Sequence, residues 1–176
     1  MKFGELEFVK IDDNFDLVAE SVEKGIKDGN LTDVLVAEID PDLSDTAAFC
    51  EKYQVTPEVC ANCVIVKANR GDRNWYAVVM IDGNSRADVN GVIRKTLDAR
   101  KISFAPMNEA VELTGMEFGA ITPIGVPADW QILVDSAIAE LPHAIVGSGI
   151  RKSKLSVRGE LLANLPNAIV LDLKKV

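Results

Sequence analysis

One histidine (His143) and three cysteines (Cys50, Cys60, Cys63) stand among 176 residues, and that scarcity narrows the chemistry at once. A hydrolytic triad needs a histidine tied by spacing to a serine and a carboxylate, and no spacing ties His143 to either. Val146-Gly147-Ser148-Gly149 comes nearest to a nucleophile elbow, but Val146 stands where that pattern requires glycine. A structural zinc site takes four ligands, and Cys60-Ala-Asn-Cys63 finds only Cys50 and His143 to add. A thioredoxin-like C-x-x-C opens a helix, whereas this one enters an apolar, strand-like run. Small packed cysteines are the simpler reading, and no metal or cofactor is expected. Three thiols are also too few for a disulfide framework, which fits a reducing cytoplasm.

Long apolar stretches are missing as well. No run approaches the roughly eighteen uncharged apolar residues of a membrane-spanning helix. The first ten residues, M-K-F-G-E-L-E-F-V-K, put acids where a secretory leader has its apolar core. A cytoplasmic protein without membrane contact is the expectation. Basic residues are scarce at one end only: residues 1–58 hold 15 acids and 5 bases, and 59–176 hold 12 acids and 14 bases. The net charge of −8 argues against nonspecific coating of nucleic acid, and no DNA partner is expected. A local basic run can still dock one phosphate backbone. Arg151, Lys152, Lys154 and Arg158, in R-K-S-K-L-S-V-R, form the densest such run.

What the chain does have is apolar periodicity in short pieces. Phe15, Val18, Val22 and Ile26 recur at helical spacing, which predicts a helix from Asn14, as N-cap, to about Lys27, with Gly29 as stop. Thr32 to Ile39 reads as a strand, and a helix starts near Asp45, capped by Ser44 or Asp45. Asp40-Pro-Asp42-Leu-Ser44-Asp45 brushes against a calcium loop, but its sixth position is Asp45 where the sharp turn needs glycine. Capping accounts for those residues better. Cys63–Ala68 and Trp75–Ile81 form a hairpin across R-G-D-R-N. A helix from about Ala87 to Leu97 and another from Pro106 to Leu113 follow. Gln131–Asp135 and His143–Ser148 read as strands, Ser156–Gly159 as a turn, Glu160–Leu165 as a helix and Ala168–Leu173 as a last strand. Without a regular βαβα repeat, the order implies one α/β domain over residues 1–176, a mixed barrel-like sheet with outer helices. Residues 1–44 carry no placeable motif.

Two features suggest a site. Glu112 to Pro127 packs Gly115, Gly119, Gly125, Pro123 and Pro127 among Met116, Phe118, Ile121, Ile124 and Val126. That is a loop anchored on a core with its backbone close to another group, or a pair of tight turns. Lys67 sits inside the apolar run V-I-V-K-A, where it either snorkels to an edge or enters a cleft with a partner. Gly147-Ser148-Gly149, at a strand end, offers unhindered amides to an anion.

Taken in order, the strand lysine of C-V-I-V-K, the R-x-D of Arg86 and Asp88, T-G-M-E-F-G-A-I-T-P-I-G and H-A-I-V-G-S-G-I-R-K resemble the YbaK/prolyl-tRNA-editing family of aminoacyl-tRNA deacylases. The resemblance runs from about Asp45 to the C-terminus. It implies a free-standing domain that removes a small amino acid, such as alanine or cysteine, from mischarged tRNA. It further implies catalytic roles for Lys67, Gly119 and Thr122. Substrate contacts would come from Ala120, Ile121, Pro123, Gly147, Ser148 and Gly149. Partners would be the 3′-terminal adenosine end of aminoacyl-tRNA and a synthetase. A non-catalytic module that binds tRNA or a nucleotide, and an accessory protein that docks on a synthetase, are the rival readings.

Overall fold

The computed structural model describes all 176 residues. The chain opens with β1 (Lys2–Phe3), β2 (Leu6–Glu7) and β3 (Val9–Lys10), followed by α1 (Glu20–Asp28), β4 (Leu35–Glu38) and α2 (Thr46–Tyr53). Next come β5 (Ala61–Arg70) and β6 (Arg73–Asp82), a short helical turn α3 (Arg94–Thr96), β7 (Lys101–Phe104) and α4 (Met107–Thr114). The last third holds β8 (Gln131–Asp135), α5 (Ser136–Ala139), β9 (Ala144–Gly147), β10 (Ser153–Val157), α6 (Gly159–Ala163) and β11 (Ala168–Leu171).

Two sheets carry the architecture. One has four strands in the order β3-β4-β10-β9, and the other five in the order β11-β8-β6-β5-β7. They meet where Cys60 bridges Ile145, so β9 runs beside the start of β5 and the pair curls toward a barrel. The sheet is mixed, with β8 parallel to both β6 and β11 and the remaining pairs antiparallel. The largest core cluster lies between the sheets and α1, built on residues such as Val22, Ile26, Val78, Met80, Val134 and Leu155. β3 and β4 complete the four-stranded sheet, so the motif-poor first forty residues are structural members of the fold.

The β5–β6 hairpin is longer than the apolar runs suggested, because pairing continues through Asn69↔Asn74 to Arg70↔Arg73. Gly71 supplies the φ of +62° that a two-residue connection needs. Asp45 caps α2 by accepting from the amides of Ala47 and Ala48. Asp40 does the same for the turn before it, through Asp42 N at 3.0 Å, so capping is what the acidic loop does.

Three expectations are corrected. Phe15 and Val18 precede the first helix, which begins at Glu20; Asn14 lies between two 3₁₀ turns, Ile11–Asp13 and Phe15–Leu17. Ala19 N donates to Ser148 O at 3.0 Å, and Val18 and Ala19 are extended, so the helix starts only after them. The predicted Ala87–Leu97 helix is a π turn, Val89–Ile93, leading into α3, with Asp88 accepting from Gly91 N and Val92 N. Ser156 belongs to strand β10, not to a turn. It is an inner strand whose Ser153, Leu155, Ser156 and Val157 are all buried, so no polar–apolar alternation announces it.

The Gly/Pro segment lies directly on α1. A Cβ on Gly25 would come within 2.7 Å of Gly125 N, and one on Gly125, whose φ is +90°, within 2.2 Å of Ser21 O. Gly25→Ala in a helix interior would ordinarily stabilise by about 1 kcal/mol. Here the sign is reversed. Overlap with fixed backbone is expected to cost about 1–3 kcal/mol in urea unfolding, and a Gly25→Ala protein at least as stable as wild type would refute the close packing.

Candidate active site

Gly147 is the residue on which the site turns. In the antiparallel β9–β10 pair it faces Lys154. Its missing side chain leaves room for the loop opposite: a Cβ at 147 would lie 2.4 Å from Ala120 O and 2.7 Å from Ile121 O. Two further bonds fix that loop, Gly149 N to Ala120 O at 2.8 Å and Glu117 N to Gly149 O at 2.8 Å. Met116, Ala120 and Ile124 are buried beneath it, the apolar anchors of the segment.

Between this loop, the N-terminal end of α2, the start of β5 and helix α4 lies a cleft of about 390 Å³. Ala61, Cys63, Val64, Ile65, Ala110 and Ile121 give it apolar walls, while Ser44, Asp45, Asn62, Gly119 and Lys154 bring polar groups to it. Lys154 Nζ donates to Ser44 O at 2.9 Å and lies 5.5 Å from the centroid of the Phe49 ring. Burial holds its pKa below the ordinary lysine value, against the opposing pull of Cys60 and Asp45. Ser44 is buried, and its hydroxyl has no hydrogen-bond partner. That oxygen lies 3.5 Å from where a Cβ on Gly119 would be, so the glycine opens the wall at this point. Gly119 (φ +79°) also has an amide that no protein acceptor takes. Thr46 Oγ1 donates to Asn62 Oδ1 at 2.6 Å, joining α2 to β5 across the cleft.

Arg151 staples the mouth. Its guanidinium donates to Pro41 O and Phe118 O, each at 3.2 Å, and its own amide donates to Glu117 Oε2 at 2.8 Å. Lys154, Ser44 and Gly119, the last with an amide no acceptor takes, therefore border one half-apolar concavity, an arrangement suited to holding an acyl group and stabilising charge on its oxygen.

A family model described as the aminoacyl-tRNA editing domain matches residues 40–165. The chain belongs to that family. Sequence relatives of this editing domain include the proline–tRNA ligases of Listeria monocytogenes serotype 4a (strain HCC23) and Bacillus subtilis (strain 168). The first is 33% identical over 109 residues, 61% of this chain and 18% of the ligase; the second is 28% identical over 96 residues, 54% of this chain and 16% of the ligase. The chain thus spans less than a fifth of the length of either. Among solved structures, a proposed trans-editing enzyme for prolyl tRNA synthetase superposes with a TM-score of 0.76 at 17% identity. The match covers 90% of this chain and 99% of that one; at such identity it speaks for the fold alone.

The sequence-predicted residues divide within the editing domain. Gly119, Ile121 and Gly147 line the cleft, and Ala120 is packed beneath it. Thr122 is fully buried, its amide directed at Met116 Sδ, and it is not among the cleft residues. Pro123 faces a separate cavity beside α1 and Trp130. Ser148 is consumed in a buried network, donating to Ile150 O at 2.8 Å and accepting from Ser153 Oγ at 2.7 Å. A Cβ on Gly149 would meet Ala19 Cβ at 2.4 Å, so this glycine serves packing.

Lys67 does not border the cleft. It pairs with Glu109 of α4, Nζ to Oε2 2.9 Å, and Tyr76 donates to the same carboxylate. Tyr76, then Lys67, hold the Glu109 carboxyl below the usual range, and Glu109 in turn raises the Lys67 pKa. Lys67 thus has a partner, as the second reading required, but outside the cleft, where its pair with Glu109 secures α4, a wall of that cleft.

The basic run separates too. Lys154 points inward and is not free on the surface, while Lys152 is exposed. Arg158 pairs with Asp33 at 3.5 Å beside a different cavity, roughly 13 Å from Lys154 along the strand. Only Lys154 lies within β10, whereas Arg151, Lys152 and Arg158 fall beyond its ends, so the four side chains share no single face. Lys154 and Ser44 were the residues whose part in the cleft could not be read from the sequence. The only sequence signal for the lysine was its place in the basic run.

The depressed pKa of Lys154 predicts a pH effect of definite sign. The unfolded chain binds this proton more tightly than the folded one, so stability rises with pH as the ordinary value of 10.5 is approached. Lys154→Met is expected to flatten that rise in urea unfolding measured from neutral to alkaline pH. A variant with the same slope as wild type would mean that the ammonium is solvated.

Proposed function

We propose that this editing domain is a deacylase that hydrolyses the ester between a small amino acid and the 3′ end of mischarged tRNA. The observation that carries the reading is the meeting of Lys154, Ser44 and Gly119, whose amide has no protein acceptor, on one cleft. In this reading the aminoacyl side chain lies against Cys63, Ile65 and Ala110, apolar walls that suit residues such as alanine or cysteine. Water adds to the ester carbonyl, and the oxyanion forms toward Gly119 N–H and Lys154. The C–O bond to the ribose then breaks, the ribose oxygen takes the proton, and free amino acid and tRNA leave.

No histidine or ionised cysteine borders the cleft: His143 packs against Phe3 elsewhere, and burial raises the Cys63 pKa well above its ordinary value. Asp45, the one carboxylate of its lining, is engaged as the cap of α2. The base is therefore assigned to the vicinal ribose hydroxyl of the substrate itself. Deacylation should fall steeply on tRNA ending in 2′-deoxyadenosine, and full activity on that substrate would refute the assignment. Arg151, at the mouth, and the exposed Lys152 are the residues proposed to meet the RNA backbone, with a synthetase as a further partner that delivers the mischarged tRNA.

The test is release of amino acid from tRNAs charged with alanine, cysteine, serine and proline. Lys154→Met is expected to lower the rate about 100-fold or more, the scale of losing one oxyanion donor. Lys67→Met, which loosens α4 without touching the cleft, is expected to lose less than about tenfold. Tight tRNA binding by wild type without release of any amino acid would favour a non-catalytic module.

A further inference from the structure

Of the six phenylalanines, four are buried or half-buried. The other two, Phe104 at 63% exposure and Phe118 at 53%, both border the same cleft. Met107, also exposed, joins them on its rim. Neither exposed ring packs on another aromatic side chain. Their backbones are nevertheless held. Phe104 ends edge strand β7 in register with Val66, and Ala105 N donates to Ile65 O at 2.9 Å. Phe118 O accepts from the Arg151 guanidinium. Two large apolar rings fixed at a polar-floored mouth and left open to solvent are an interaction surface, not a solvent-facing accident.

We propose that Phe104 and Phe118 form a stacking platform for the unpaired bases at the 3′ end of a single-stranded RNA, the terminal base foremost. The inference rests on the deacylase reading, because an ester seated at the cleft floor places the terminal base one ribose away, at the rim. Chemistry points the same way. Every base has a flat π face that stacks on an aromatic ring whatever its sequence, and the Arg151 guanidinium, held at the rim on Phe118 O, suits the phosphates that link those bases. A protein partner would want a flat apolar patch, whereas these rings stand at a concavity whose polar groups include Lys154 and Asp45. The device needs no base-specific hydrogen bonds, so it can hold the invariant end of many tRNAs while the cleft selects the amino acid.

The probe is a short single-stranded RNA ending in CCA, with 2-aminopurine in place of the terminal adenine, whose fluorescence is quenched by stacking. Wild type is expected to quench it. Phe104→Ala and Phe118→Ala are each expected to weaken binding about 5- to 100-fold, the range of losing one base–aromatic stack. Phe→Tyr at either position should restore the quench, and Phe→Leu should not. Equal rescue by leucine would overturn stacking in favour of general apolar contact, as would unchanged binding by the alanine variants or no quench with wild type. Thermal unfolding of the exposed-site variants checks that the fold is intact. Deacylation measured in parallel keeps the two readings apart. Quenching without turnover would remove the deacylase and leave the platform, whereas turnover whose KM ignores both rings would remove the platform and leave the deacylase.

Discussion

The approach of the 120–121 carbonyls to Gly147 governs the rest of the site. A strand normally presents a side chain at every position, and at this one any Cβ would strike the loop opposite. Its absence lets main chain lie on main chain. Gly149 N, one strand end further on, then ties the loop down through Ala120 O. Because the loop sits that low, Gly119 reaches Ser44 and Arg151, and Lys154, the cross-strand partner of Gly147, borders the space that remains.

Electrostatics then sorts the lysines. Lys67 and Lys154 both lie in strands with largely buried neighbours, and each needs an answer to partial burial. Lys67 receives a carboxylate and a phenol-bound neighbour, so its charge is neutralised and held in place. Lys154 receives one carbonyl, with Asp45 and the cysteines acting from further off, and pays a desolvation penalty that lowers its pKa. A cation that is incompletely satisfied inside a cleft gains most when an oxyanion develops beside it. The penalty is therefore consistent with a functional role, while the satisfied pair of Lys67 is consistent with a structural one.

Much of this was legible in the sequence. The long β5–β6 hairpin, the mixed sheet, the anchoring of the Gly/Pro segment and its family all follow from short periodic runs and from motif order, whereas the short strands β1–β3 and β7 carry too few residues to show a period. Gly119, Ile121 and Gly147 were readable chiefly through the family resemblance, the first two also because they lie where glycine among apolar anchors marks close backbone approach. What could not be read was side-chain direction within irregular or fully buried pieces. Strand β10 hides its period because Ser153 and Ser156 are buried along with Leu155 and Val157, so Lys154 read as one of four surface cations. Thr122 and Ser148 sit in the right motifs, yet their hydroxyls are turned into the core. The partnership of Lys67 with Glu109 spans 42 residues, a separation no local pattern encodes.

The most direct test of the cleft as the place where the ester lies is amide chemical-shift mapping by NMR. The ligand would be 3′-alanylamino-3′-deoxyadenosine, whose amide replaces the labile ester. The account predicts that the Gly119 and Gly147 amides and the Lys154 ammonium move together on titration. Shifts confined to the region of Asp33, His143 and Arg158, or to the cavity between Pro123 and Trp130, would contradict it.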